Sequence, residues 1–448
     1  MVRPNRVTDV AIIGAGAAGL AAAQRLTNAG RSVVIVDARD RIGGRIHTIR
    51  DEQFPLPVEL GAEFIHGRNV ETWDILRAMN ASAYFADGHH RHFRGGRLRS
   101  MDDFWELVDR VFSRLSRVKR NRDMSFTEFL RRHCNDPRLR EAKKLAHAFV
   151  EGFDAADANL ISAYSLAKAE ETTADEVEGQ ESFRIIDGYA CVTDFLLHSS
   201  RRLNLMVRLN TLVSAIRWSR GAVEIVIKDA SAIRAKQVIV TVPVGVLREG
   251  TLRFDPDVPE KRDVAGKIEM GKVVKVILKF AEAFWEEGKI PAAGEPLPSI
   301  VFMTSEDAIR AAVPTWWTYY PVRATVLTGW AGGPAAARLA HRPQRDIVDD
   351  ALASLAKITG VPRARLSKLL VASHVADWQA DPLSRGAYSY VTVGNSDAPK
   401  QLAKPVENTL FFAGEATASS GVGGTVDAAL SSGRRAADEV LARRRAHT

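Results

Sequence analysis

Val7-Thr-Asp-Val-Ala-Ile-Ile13 runs straight into Gly14-Ala-Gly16-Ala-Ala18-Gly19, and that into Leu20-Ala-Ala-Ala-Gln-Arg-Leu26. The first segment is a short β-branched run of the kind that makes a buried strand. The third is rich in Ala and Leu and therefore helical. Gly30 stops the helix, and Ser32-Val-Val-Ile-Val-Asp37 is a second strand ending in an acid. Strand, glycine turn, helix, strand and terminal carboxylate are the parts of a βαβ dinucleotide-binding unit. Gly14 permits the tight turn, Gly16 lets a pyrophosphate approach the backbone, and Gly19 lets helix and strand pack closely. The helix start offers unpaired N–H groups and partial positive charge to phosphates. Asp37 follows Gly19 by 18 residues, where a carboxylate can accept ribose hydroxyls. A secretory leader is not expected, because Asp9 interrupts the apolar segment and the glycines fall at turn spacing.

Beyond Asp37 the chain continues as Arg39-x-Arg41-Ile42-Gly43-Gly44-Arg45, which a nicotinamide dehydrogenase does not need. DxRxRxGGR after GxGxxG resembles the FAD-binding start of the flavin amine oxidases. That superfamily includes monoamine oxidase, polyamine oxidase, L-amino-acid oxidase and the lysine-specific histone demethylases. Its usual acid is Glu, so Asp37 is a shorter variant that should still reach the ribose. The resemblance implies that Gly14, Gly16, Ala18, Gly19, Asp37, Arg39, Gly43, Gly44 and Arg45 contact FAD.

At 448 residues the chain exceeds one ordinary core, so two domains are expected. No apolar run approaches the roughly 18 residues of a membrane span. Cys134 and Cys191 form no CxxC and have no His at ligand spacing, so neither a metal site nor a disulfide framework is expected. A soluble protein of the reducing cytoplasm is the expectation. The net charge of +8 is diffuse; its densest stretches, Arg114–Arg122 and Arg443-Arg-Arg445, read as solvated faces and not as nucleic-acid sites.

Further resemblances follow along the chain. Glu59-Leu-Gly61-Ala62-Glu63-Phe-Ile-His66-Gly67 resembles the segment by which polyamine oxidases pass the flavin ring. Gly61 and Ala62 would set small residues against that ring. Glu63 and Phe64 stand where L-amino-acid oxidases carry a carboxylate-binding Arg, which argues for an amine without an α-carboxylate. His66 has two readings, a hydrogen-bonded structural histidine or a site residue like that of the animal polyamine oxidases. Glu63 and His66 are expected at the mouth of the site, with the carboxylate drawing His66 toward protonation.

From Met101 the pattern turns helical, with Phe104, Leu107, Val108, Val111, Phe112 and Leu115 on one face. Ser125-Phe-Thr-Glu128 is a capping box, and Arg138–Val150 and Leu160–Glu171 also read as helices. Strands are expected over Met206–Trp218, Val223–Ile227 and Gln237–Pro243, and Val213 matches a family residue whose backbone meets adenine. In Val273-Val-Lys275-Val-Ile-Leu278 alternation puts Val274, Val276 and Leu278 on one face and Val273, Lys275 and Ile277 on the other. Lys275 is thus an inward charge between apolar neighbours, and the resemblance makes it the lysine that binds a water against flavin N5. Lys272 is the competing candidate and reads as exposed.

Asp377-Trp378…Gly386-Ala387-Tyr388 resembles the segment lining the substrate side of the flavin, with Tyr388 one wall of an aromatic cage. Monoamine oxidases have their flavin-linking cysteine where Ala387 stands, so FAD is expected to be non-covalent. Phe411-Phe-Ala-Gly414-Glu415 resembles the strand under the ribityl chain. Thr425 and Val426 open a helix toward the pyrophosphate, Thr425 replacing the second cage tyrosine of the monoamine oxidases.

These readings predict an α/β fold. A discontinuous Rossmann-like FAD domain takes residues 1–82, 183–278 and 384–448, and an inserted α+β substrate domain takes 83–182 and 279–383. The implied reaction is oxidation of a small amine to an imine with oxygen as acceptor and hydrogen peroxide released. The assigned site residues are Lys275, His66, Tyr388, Trp378 and Glu63. A polyamine or diamine is favoured, with an aryl-alkyl monoamine next. An L-amino acid, a flavin desaturase and a non-catalytic flavoprotein stay as alternatives, and a histone demethylase is disfavoured by the absence of a long coiled-coil insertion. The oligomeric state stays open, a homodimer among the options.

Overall fold

In the computed structural model, Thr8–Ile13 lies at the heart of an eight-stranded sheet. The model describes residues 7–86, 88–101, 103–175, 181–228, 232–305, 311–418 and 423–442, so the Arg443–Arg445 run lies outside the described residues. Leu205–Arg208, Val33–Val36, Thr8–Ile13, Ile233–Val240 and Leu410–Phe412 run parallel in that order. Ala222–Ile227 joins Ile233–Val240 antiparallel and leads to Val213–Ser219 and Arg253–Asp255. Val10 and Ile12 enter the core on one face, Ala11 and Ile13 the core on the other. Burial on both faces is why this strand is continuously apolar. The expected helix forms over Ala17–Asn28. The last helix, Val426–Ala442, crosses it so closely that a Cβ on Gly433 would stand 2.1 Å from the Ala18 carbonyl oxygen.

A second, seven-stranded sheet has the order Leu370–Asp377, Val273–Phe280, Val326–Gly332, Thr315–Trp317, Ile300–Ser305, His89–Arg94 and Arg97–Ser100. Val273–Phe280 pairs antiparallel on both sides. The boundary expected at 278 therefore cuts a strand: ladder hydrogen bonds make Val273–Phe280 part of the second sheet, and this sheet, not the nucleotide sheet, supplies Lys275. Val274, Val276, Leu278 and Phe280 fill that sheet's core, as the alternation requires.

Helices Phe104–Phe112, Phe126–His133, Arg140–Gly152 and Ala163–Asp175 enclose a core with Val108, Phe112, Phe126, Phe129 and Leu145. Half of the capping box forms. Ser125 Oγ accepts from the Glu128 amide at 3.2 Å, but the Glu128 carboxylate turns to Arg131 and Arg132. The segment expected as one strand over 206–218 is two, because Asn210 takes a left-handed conformation (φ +50°) and turns the chain under Asp37. There the Asn210 amide donates to Arg39 O and the Thr211 amide to Asp37 O, which carries Val213 to the nucleotide end.

Candidate active site

One continuous cavity of ≈1730 Å³ begins at the carboxyl ends of the parallel strands and runs into the second sheet. Its first half is lined by Gly14, Gly16, Ala18, Asp37, Gly43, Gly44, Val213, Gly414, Thr425 and Val426. The carboxyl end of a parallel sheet is where open α/β folds bind nucleotides. The glycines test the fit. A Cβ on Gly19 would meet Gly14 O at 2.0 Å, so Gly19 serves the helix–strand contact. A Cβ on Gly16 would meet only Gly43 O, at an ordinary 3.8 Å, so protein packing does not demand a glycine there and the room opens to the cavity. Asp37 is aimed by two amides, Oδ2 accepting from Ala15 N (2.7 Å) and Oδ1 from Arg39 N (2.8 Å). A carboxylate keeps further lone pairs for ribose hydroxyls. The FAD assigned from sequence fits these residues.

The two arginines expected at the cofactor are also braces. Arg39 reaches Asp381 (2.7 Å) and Ser384 (2.9 Å). Arg45 donates to Ala387 O (2.8 Å) and Glu415 Oε1 (2.7 Å). Glu415 also accepts from Ser389 Oγ (2.6 Å) and Gly424 N (3.2 Å). One buried carboxylate thus ties the post-glycine loop, the Tyr388 segment and the approach to the last helix together. A Cβ on Gly61 would lie 1.9 Å from Arg45 O, so its small size is already required by the protein backbone.

Backbone hydrogen bonds bring the distant site residues into register. Ala387 N donates to Gly271 O, Gly271 N to Tyr388 O, Gly386 N to Trp378 O and Trp378 N to Val273 O. Trp378, Tyr388, Val273, Trp330 and Ala387 thereby form one cluster beside Lys275. Trp378 is fixed through its indole N–H on Leu60 O (2.9 Å), and the Tyr388 hydroxyl donates to Phe153 O. Burial raises the Tyr388 phenol well above its ordinary range. Lys275 is 1% exposed, whereas Lys272 is exposed. The Lys275 ammonium donates to Gly61 O at 3.2 Å.

Glu63 departs from its expected place. It is not at the mouth but beneath the cavity, with Oε2 2.6 Å from Lys275 Nζ and Oε1 accepting from Arg184 Nε (2.9 Å) and Trp317 Nε1 (3.0 Å). Two cations and an indole occupy the carboxylate, because a buried anion must be paired. Nor does it draw His66 toward protonation: enclosure by protein lowers the His66 imidazole to about 4. His66 Nδ1 lies 3.2 Å from Ser182 Oγ, and its ring stacks near Phe64 and edge-on to Phe153.

Sequence reasoning missed the acids that do line the substrate end, among them Glu151, Asp154 and Glu170. Burial, reinforced by Glu170, pushes Asp154 up to about 7, and burial with Asp157 does the same to Glu151. Asp154 Oδ2 is buried without a hydrogen-bond partner. The signal was present in Glu151-Gly-Phe-Asp154-Ala-Ala-Asp157. Glu151 in the last turn of the helix Arg140–Gly152 and Asp154 just beyond it oppose the helix dipole, a placement that stability does not favour. Arg184 was missed as well, though it interrupts Phe183-Arg184-Ile185-Ile186 as Lys275 interrupts its own strand.

The model of the family described as flavin containing amine oxidoreductase matches residues 17–441. Polyamine oxidase 3 of Oryza sativa subsp. japonica is 29% identical over 467 residues, covering 98% of this chain and 90% of that protein. The lysine-specific histone demethylase 1 homolog 2 of Arabidopsis thaliana is 26% identical, over 97% of this chain and 58% of its own length. Among solved structures, wild-type putrescine oxidase bound to putrescine superposes with a TM-score of 0.79 at 21% identity, covering 98% of this chain and 100% of that one. Cyclohexylamine oxidase from Brevibacterium oxydans IH-35A gives the same values. At that identity the likeness concerns the fold. With the family model spanning nearly the whole chain over a cavity shaped for the dinucleotide, the chain belongs to the flavin-containing amine oxidoreductases, which use FAD to oxidise amines.

Proposed function

We propose that this enzyme oxidises a diamine or polyamine. The observation that carries the reading is the acidic wall formed by Asp154, Glu151 and Glu170 at the substrate end of the cavity. A carboxylate that burial holds half-protonated near neutrality gains most from an ammonium that arrives to pair with it. The relatives named polyamine oxidase point the same way.

When bound, FAD supplies the hydride acceptor and passes the electron pair to oxygen. The chain's own residues do the rest. Trp378 and Tyr388 wall the space and exclude water from the reacting C–H bond. Desolvation among these rings favours the neutral form of the amine that is oxidised, since burial disfavours an ammonium. His66, kept neutral, does not repel the cationic end of the substrate. Lys275 presents a fixed ammonium to the cavity floor.

The test is kcat/KM for putrescine, spermidine, phenethylamine and an L-amino acid, with anaerobic bleaching of the flavin as the direct readout. Preference for the diamines is the expected result. A specific observation favours one other reading, an aryl-alkyl monoamine: Phe64, Phe302 and Trp317 pack as tilted and edge-on rings with centroids 5.6–6.0 Å apart along the cavity. Phenethylamine preferred over putrescine would establish that reading and reject the diamine.

A further inference from the structure

Lys275 does not stand alone, and the arrangement around it is more elaborate than holding one ammonium requires. Its strand neighbours across the sheet are Trp330 and Ala376, neither titratable. The groups that face it from other elements are Glu63 and Glu59, with Arg184, Tyr319 and Tyr84 behind Glu63. Lys275, Glu63 and Arg184 are each no more than 6% exposed. Glu63 bridges the two cations, one on each carboxylate oxygen, and Trp317 donates to the oxygen that Arg184 holds. The Arg184 guanidinium is clamped over Phe64 (4.3 Å) and Tyr319 (5.1 Å).

A lysine paired to one glutamate in a dry site is fixed but electrically cancelled. A lysine without an anion there tends to lose its proton. Lys275⁺–Glu63⁻–Arg184⁺ avoids both outcomes. The carboxylate anchors the ammonium, and the second cation leaves the cluster with one net positive charge. We infer that Glu63 and Arg184 are positioning residues for Lys275: Glu63 fixes the ammonium at the cavity floor, while Arg184 prevents Glu63 from neutralising its field. Burial raises the Glu63 carboxyl, but Lys275, Arg184 and the donated hydrogen bonds outweigh it and hold the group below its ordinary value. Glu59 directs its carboxyl to Tyr189 N and Thr48 Oγ1 and, pushed up to about 7 by burial, ionises there as a group of its own. The inference rests on Lys275 acting in this site, and it is independent of which amine is oxidised.

The two partners should act in opposite directions, which a merely structural role would not produce. Glu63→Gln leaves two buried cations without the anion between them, so the pH dependence of reoxidation should move to lower pH. Arg184→Met leaves a closed lysine–glutamate pair, so the pH dependence of reoxidation should move to higher pH. The experiment uses the FAD-loaded enzyme. Stopped-flow reoxidation by oxygen is followed from about pH 6 to about pH 10, together with the visible flavin spectrum of the resting enzyme over the same range. In E63Q both should show a step displaced downward by about one unit or more, a tenfold or larger change in the ionisation constant. In R184M the step should move upward. K275M should abolish the step in either background and make E63Q silent, so that the double variant behaves as K275M alone. If K275M changes neither measurement, Lys275 has no role at the flavin and the premise falls. If K275M slows reoxidation while E63Q and R184M leave the step where the wild type has it, or all three effects simply add, the positioning inference is wrong. Should E63Q fail to hold FAD, Glu63→Asp and the upward step in R184M carry the test, and absence of that upward step overturns it.

Discussion

Replacing Asp154 by Asn removes the charge from the acidic wall while keeping the side chain's size. In the free enzyme this carboxyl is raised from 3.8 to about 7, by burial first and the Glu170 charge second. It is therefore roughly half ionised at neutral pH, and an incoming ammonium completes the ionisation. A hydrogen bond to a charged group contributes about 1.5–3 kcal/mol, or about 10- to 150-fold in kcat/KM at 1.4 kcal/mol per decade. Asp154→Asn should lower kcat/KM for putrescine by that factor and leave an alkyl monoamine of equal length within about threefold. The wild-type diamine profile should rise with pH through about 7 as Asp154 and Glu151 ionise, a limb that should be shallower in the Asn variant. Stability supplies an independent sign. A carboxyl raised on folding binds more protons in the native state than in the unfolded one between its two pKa values. Its unfavourable contribution is thus absent at low pH and grows as pH rises from about 4 to about 7. The Asn variant should accordingly melt higher than wild type at about pH 8, with the difference vanishing near pH 4. Steady-state kinetics with both amines and thermal melts at the two pH values are sufficient. Equal losses for monoamine and diamine, with an unchanged limb near 7, would refute the role assigned to Asp154.

Gly16→Ala and Gly19→Ala should separate cofactor binding from folding. The first adds a Cβ only 3.8 Å from Gly43 O and should leave the apoprotein's melting temperature near wild type while weakening FAD binding. The second places a Cβ 2.0 Å from Gly14 O and should lose both, as flavin absorbance against protein content and apoprotein melts will report. Acid precipitation should release a yellow supernatant, since Ala387 offers no thiol to the flavin; colour retained in a washed pellet contradicts this. Lys261, 4% exposed, donates to Gln401 O (3.0 Å) and Leu402 O (2.9 Å) at the end of helix Ala398–Ala403. Lys261→Met leaves the buried Leu402 carbonyl without this donor and should cost about 1–3 kcal/mol in urea unfolding, with kcat unchanged in the protein that remains folded.

Local pattern was enough for the nucleotide half of the molecule. Residues 7–45 form a contiguous unit whose conformation follows from spacing: β-branched runs, three glycines and a terminal acid. Strand alternation was also enough to turn Lys275 inward between Val273 and Ile277, on the face opposite Val274 and Val276. What local pattern does not contain is the identity of the partner across space. Glu63 and Lys275 are 212 positions apart, and Arg184 comes from a third segment. The sequence shows a carboxylate in a flavin-facing segment, whereas the packed sheets surround it with two cations before any substrate arrives. The same holds for the acids at 151, 154 and 157, whose spacing marks a helix end but not the cavity it faces. Periodicity reports which side of an element is buried; only the assembled structure reports which charges burial brings together, and in a low-dielectric interior that pairing decides the chemistry each one can do.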